Sequence, residues 1–167
     1  TEALTQTQIP LPFPQSGITE YEIENLYYDT DATFLSADNI RKLNVLLHLL
    51  KKYPQLKVSL SAYTDNQTAP DYALYFSIKK AEIAGAYLVE NGINPNNILL
   101  KGMGNKYPIA RNEKDDLPNP IGQSLNRRIE VGVHHAEGLP IRIIIKKTSI
   151  KDWMAVSDSH YIQMASS

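Results

Sequence analysis

Cysteine is missing from this sequence, tryptophan occurs once and methionine three times. The first absence excludes thiol catalysis, disulfides and thiolate metal sites. It does not fix a compartment, because cytosolic and many periplasmic domains manage without cysteine. No run of about 18 apolar residues occurs, so no segment reads as spanning a bilayer. Neither sign of charge dominates, with 17 basic against 18 acidic residues. The electrostatic footprint expected of a nucleic-acid or anionic-membrane binder is therefore absent. The start of the chain has no basic region followed by an apolar block, the pattern of a removed signal or of a piece cut from something longer. The 167 residues suffice for one domain with a real core.

Three prolines at alternate positions in "IPLPFP" make residues 1–19 read as a linker or an arm lying on the surface. "EYEIENLYY", Glu20 to Tyr28, is the first strand candidate. "SADNIRKLNVLLHLLKKYP" predicts a helix capped by Ser36, with Ile40, Leu43, Leu47 and Leu50 on one face and Pro54 beyond its end. In "QLKVSLSAY", Leu56, Val58, Leu60 and Ala62 alternate with polar residues, as in a strand with one buried face. A second helix is expected from Pro70–Asp71 to the Asn91-Gly92 pair, with Leu74, Ile78, Ala81, Gly85 and Leu88 as its buried stripe. "NILLKGMG" reads as a short buried strand, residues 105–121 as a long polar loop, and "RIEVGVH" as the last secure strand. The order β-α-β-α-β-β predicts an α+β two-layer sandwich, with both helices on one face of a mixed four-stranded sheet. Residues 20–135 form that unit. Residues 136–167 make a C-terminal extension whose strand-like Ile141 to Ile145 could cover a sheet edge, pair with another chain, or begin a domain that continues in the native protein.

Three segments in this order resemble the OmpA-like C-terminal domain, a periplasmic module that anchors outer-membrane proteins to peptidoglycan. They are "LYYDTDATFLSADN", "LSAYTDNQTAPDYALYFSIKKAEIAGAYLVENGI", and "LLKGMGNKYPIARN" followed after an insertion by "GQSLNRRIEV". Together they cover Glu20 to His135. The resemblance implies a ligand, the zwitterionic end of diaminopimelate in the peptidoglycan stem peptide. Such a ligand asks for an acid to meet its ammonium and a base to meet its carboxylate. The family's acid corresponds to Asp65, and its helix arginine falls on Lys80, which keeps the charge but not the planar fork. Ala73 stands in place of an asparagine and Thr68 in place of a glycine. Ala73, Ser77 and Lys80 share a helix stripe beside the Asp65 loop. Asp31 matches an acidic residue near the family's pocket, and Asn126, Arg127 and Arg128 reproduce its Asn-Arg-Arg. One of those arginines could supply part of the missing fork while the other holds the corner of the chain. The expected ligand-binding set is Asp65, Lys80, Asp31, Ser77, Asn126, Arg127 and Arg128.

Each of these residues also has a plainer reading. Asp65 is a turn-forming residue in a polar loop, and Lys80, next to Lys79, is a solvated helix lysine. His134 and His135 are neighbours on a strand, point to opposite faces and make a poor metal pair. His48 lies on the polar side of the first helix. "SDSHY" near the C-terminus gathers Ser, Asp and His locally, whereas a triad is a spatial arrangement. "GMGN" lacks the Lys-Ser/Thr of a phosphate loop. Tyr21, Tyr27, Tyr28, Tyr63 and Tyr72 could pack against sugar rings. The sequence thus predicts a non-enzymatic cell-wall-binding module without cofactor or metal. It would lie in the periplasm of a Gram-negative envelope, joined to the outer membrane through a parent protein. Its partner would be peptidoglycan, with a protein partner or self-association through the C-terminal segment also open. The alternative is a domain that kept the fold, lost the ligand and serves as a structural or interaction scaffold.

Overall fold

The computed structural model describes residues 17–29 and 35–150. Its elements are β1 (Thr19–Ile23), β2 (Leu26–Tyr27), α1 (Ala37–Lys52), β3 (Lys57–Tyr63), α2 (Pro70–Glu90), β4 (Ile98–Gly104), β5 (Glu113–Lys114), β6 (Leu117–Pro118), α3 (Pro120–Asn126), β7 (Arg128–His134) and β8 (Ile141–Ile145). The main sheet has the order β2-β7-β3-β4, with β3 antiparallel to β7 and parallel to β4. It is the mixed four-stranded sheet expected, and α1 and α2 cover one of its faces.

Alternation dictates which side of β3 and β7 is apolar. Val58, Leu60 and Ala62 of β3 and Ile129 and Val131 of β7 are buried against Leu43, Leu46, Leu49 and Leu50 of α1 and Ala81, Ala84 and Leu88 of α2. Each fully buried leucine contributes about 1.5–3 kcal/mol. Ser36 caps α1 by accepting from the Asn39 N–H at 3.1 Å. Pro70 occupies the first turn of α2. Beyond the end of α2, Gly92 takes a φ of 105°, in the left-handed region.

Four features differ from the sequence expectation. The single strand from Glu20 to Tyr28 is two strands. Ile23 and Leu26 are both buried, and residues three apart on one straight strand face opposite ways, so the chain turns between them. After the turn β2 joins β7, while β1 pairs in parallel with β8 from the C-terminal extension, Thr19 opposite Ile141 and Ile23 opposite Ile145. That extension therefore closes on the first strand of its own chain. Strand β4 is an edge strand with Leu99 exposed, not a buried one. Leu74 is exposed and the buried stripe of α2 runs through Ala73, Ser77, Lys80, Ala81, Ala84, Gly85 and Leu88. β4 crosses α2 closely beside this stripe, at Leu74 and Ile78. A Cβ at Gly102 would lie 2.8 Å from the Ile78 nitrogen and 2.9 Å from the Leu74 carbonyl oxygen.

The polar segment 105–121 is also ordered. It forms the β5–β6 hairpin and leads into α3. Asp115 and Asp116 take φ values of 53° and 62°, the two left-handed positions that fit a tight hairpin turn.

Candidate functional site

Asp65 begins the loop after β3. Its Oδ1 accepts from the Gln67 backbone N–H at 2.9 Å, the turn geometry that short acidic side chains favour. Its Oδ2 accepts from Arg127 Nη1 at 2.6 Å. Asp65 is 2% exposed. Arg127 follows α3 and caps it, its N–H bonding the Gln123 carbonyl. Its Nε donates to the Tyr28 carbonyl at 3.2 Å, so β2, the Asp65 loop and α3 meet at one guanidinium. Among the described residues Nη2 has no hydrogen-bond partner. The Arg127 side chain is 15% exposed.

Lys80, 7% exposed, reaches the same place from α2. Its Nζ lies 5.2 Å from the centre of the Tyr28 ring and 4.9 Å from that of Phe76, within the range of cation–π attraction. The Tyr28 hydroxyl donates to the Tyr63 carbonyl. Burial, and then the nearby Asp65 carboxylate, push the pKa of this phenol well above its ordinary value, so it is neutral under physiological conditions.

A cleft of about 360 Å³ opens on this cluster. It is lined by Tyr27, Tyr28 and Asp29 at the end of β2, by Ser36 and Asn39 at the start of α1, and by Ser124, Leu125 and Arg127 around the end of α3. An exposed carboxylate, Asp29, and a fixed guanidinium, Arg127, thus line one opening. The pairing suits a ligand that carries both an ammonium and a carboxylate.

The other expected site residues stand behind this opening. Asn126 is fully buried. Its Oδ1 accepts from the N–H groups of Ile109 and Ala110 at 2.7 and 3.0 Å, and its Nδ2 donates to the Ala110 carbonyl and Asn112 Oδ1, both at 2.8 Å. All of its polar capacity goes to pinning the loop. Arg128, equally buried, bonds Glu130 Oε2 at 2.8 Å and the Tyr107 carbonyl at 3.0 Å, and its guanidinium lies 3.9 Å from the centre of the Tyr63 ring. It holds the corner between α3 and β7. Ser77 is fully buried; it donates to the Leu74 carbonyl and accepts from the Gly104 N–H, fastening the end of β4 to α2. Asp31 lies outside the described residues. Of the predicted set, the structure brings Asp65, Lys80 and Arg127 together around Tyr28, and Arg127 is the one that lines the cleft.

Sequence reasoning missed α3 and the amide ladder that it supports. Gln67 Nε2 donates to Gln123 Oε1 and Gln123 Nε2 to Asn66 Oδ1, both at 3.1 Å, and Asn66 Nδ2 reaches Glu113 Oε2 at 3.3 Å. This ladder ties the Asp65 loop to the segment that carries Arg127. Pro120 as a helix-starting residue was the available signal. Among the described residues no cluster of His, Cys, Asp or Glu has the arrangement of a metal site, and no helix is long and apolar enough to cross a membrane. His134 Nε2 lies 3.0 Å from Ser59 Oγ, away from the cleft.

A two-layer α+β domain, with a buried acid–guanidinium pair where the ends of β2 and α3 meet the Asp65 loop, is the class that fold and site define. The model of the OmpA family matches residues 27–119, more than half of the chain, and the chain belongs to that family. Over 120 residues it is 30% identical to the peptidoglycan-binding protein ArfA of Mycobacterium tuberculosis, an alignment covering 72% of this chain and 35% of ArfA. It is 27% identical over 107 residues to the probable lipoprotein YiaD of Escherichia coli, covering 64% of this chain and 47% of that protein. With the peptidoglycan-associated lipoprotein of Rhizobium meliloti it shares 26% identity over 99 residues, 59% of this chain and 56% of the other. The chain thus spans between a third and somewhat over half of these relatives. Among solved structures it resembles the peptidoglycan-associated lipoprotein from Burkholderia pseudomallei, with a TM-score of 0.59 at 21% identity, over 66% of this chain and 89% of that one. It also resembles the C-terminal domain of Helicobacter pylori MotB, with a TM-score of 0.57 at 17% identity, over 68% and 85% of the two chains. These structural likenesses establish the fold.

Proposed function

We propose that this domain is a non-catalytic peptidoglycan-binding module that recognises the diaminopimelate-containing stem peptide. The observation that carries the reading is the state of Arg127. Asp65 and the Tyr28 carbonyl fix its guanidinium at the wall of a cleft, and Nη2 remains to take a ligand carboxylate. Asp29, which lines the same cleft, receives the ammonium, and Asp31, two positions further along the chain, is the second acid that the family resemblance assigns to the site. Asp65 orients Arg127 from behind, and Lys80 adds positive charge through Tyr28. Ser77, Asn126 and Arg128 serve the site by holding its walls. The naming of ArfA and of the lipoproteins for peptidoglycan supports the same ligand.

The setting that goes with this reading is the periplasm of a Gram-negative cell, with the outer membrane reached through a parent protein. Affinity is modest, since many weak copies along a wall act together. A second reading is favoured by the burial of Asp65 and Lys80: a scaffold whose former ligand pair has turned inward to hold the fold. In that case a protein partner or a second copy would meet the end of β8, where Ile144 and Ile145 are uncovered.

Titration with the tripeptide L-Ala-γ-D-Glu-meso-diaminopimelate, followed by amide NMR, decides between them. The binding module shows saturable shifts at Tyr28, Asp29 and Arg127 that are lost in Arg127→Gln and in Asp29→Asn. No shifts at millimolar peptide from the folded domain would remove the peptidoglycan reading and leave the scaffold.

A further inference from the structure

The first two turns of α2 carry an aromatic strip that the stem-peptide site does not use. Tyr72 and Tyr75 are 56% and 55% exposed, unusual for large rings on a helix whose opposite side is packed. Their centroids lie 6.0 Å apart, with the rings inclined at 39°. Tyr72 also stacks on Phe76, at 6.0 Å and 25°. Spacings of three and four residues put the three rings on adjoining parts of one helix face. Lys79 Nζ sits 5.3 Å from the centre of the Tyr75 ring.

This strip is continuous with the site. Phe76, which stacks on Tyr72, is the same ring over which Lys80 holds its ammonium. From Lys80 to Tyr72 is eight residues of helix, about 12 Å along the axis. The diamino acid is the third residue of the stem, so its sugar lies at least about 10 Å beyond it, far enough to leave the cleft and reach the neighbouring helix surface. A pyranose offers a flat C–H face to an aromatic ring and hydroxyl and acetamido groups to the phenol and lysine around it.

We infer that Tyr72 and Tyr75 form a saccharide-stacking subsite that takes the amino-sugar glycan strand of the polymer whose stem peptide occupies the Arg127 cleft. The inference rests on the proposed function and extends it, from recognition of the stem alone to recognition of stem and glycan together.

The test compares two probes by calorimetry: the free tripeptide, and the same tripeptide attached to the N-acetylglucosaminyl-N-acetylmuramyl disaccharide. The disaccharide-tripeptide binds roughly five- to tenfold tighter, the order expected of one or two exposed aromatic contacts. The double variant Tyr72→Ala/Tyr75→Ala binds both probes with the affinity that the unaltered domain has for the tripeptide. Tyr72→Phe/Tyr75→Phe, which keeps the ring faces, retains the gain. If the disaccharide adds nothing, or its gain survives in the alanine pair, the glycan subsite is overturned while the stem-peptide reading stands. If neither probe binds, the proposed function falls and the subsite with it.

Discussion

Arg127 donates to Asp65 across 2.6 Å, and the two residues lie on segments 62 positions apart in the chain. The ion pair is shielded, with Asp65 almost wholly buried and Arg127 largely so. Removing one partner of such a pair leaves an uncompensated charge, whereas replacing both can cost little. Asp65→Ala is therefore expected to destabilise the domain by about 3 kcal/mol. Asp65→Ala combined with Arg127→Met should recover more than half of that loss. Urea unfolding of the single and double variants measures both; equal stability of Asp65→Ala and the unaltered domain would contradict a structural ion pair.

The buried phenol of Tyr28 links stability to alkaline pH. Its folded pKa is raised above the ordinary value of 10.0 by burial and by Asp65. A raised pKa contributes stability that is fully present below the unfolded value and is lost as pH rises beyond it. Unfolding free energy should accordingly fall from about pH 10 upward, with a slope that Tyr28→Phe removes. At neutral pH the phenylalanine variant loses about 1 kcal/mol, from the hydrogen bond to the Tyr63 carbonyl. Absorbance titration at alkaline pH should show one of the ten tyrosines ionising only as the protein unfolds.

Asn126 makes four hydrogen bonds from a fully buried side chain. Asn126→Ala strands two backbone N–H groups and a carbonyl, each costing about 1–3 kcal/mol when left unsatisfied. The variant is expected to lose about 3 kcal/mol in denaturant unfolding. Hydrogen exchange should speed up first at Ile109 and Ala110. Unchanged exchange there would show that the loop has other support.

Close packing of β4 on α2 depends on Gly102. Gly102→Ala forces a methyl group against backbone atoms of α2 and should cost about 1–3 kcal/mol. Gly17→Ala meets nothing within 4 Å and serves as a control, expected within about 0.5 kcal/mol of the unaltered domain. Thermal unfolding of the pair checks the difference.

Lys80 is the chain's departure from the arginine that the family resemblance implies. Lys80→Arg should tighten the diaminopimelate tripeptide about fivefold, because a planar guanidinium stacks on Tyr28 and Phe76 and presents more donors. Lys80→Met should weaken it about threefold, the loss of a positive charge that acts from behind Tyr28 and not by direct contact. Calorimetry reads both; identical affinities across the three proteins would take Lys80 out of the site.

The sequence by itself determined the layers of this domain. Alternation in β3 and β7, the 3.6-residue repeat of α1, and its Ser36 cap act over a few residues, and nothing distant alters them. The ordered motifs likewise pointed to the family, and to the loop and helix on which Asp65 and Lys80 lie. The tertiary structure decided which charges meet. Position in sequence placed Lys80 opposite Asp65, yet the carboxylate is held by Arg127, because α3 and its glutamine ladder carry that guanidinium into the loop. Helix periodicity put Leu74 inside, but β4 is the edge strand, so Leu74 packs over Gly104 at the margin of the helix–sheet contact and stays half exposed. The pairing of β1 with β8 joins segments more than 110 residues apart. Local propensity marks each as a strand and cannot name its partner; only the geometry of the closed chain does.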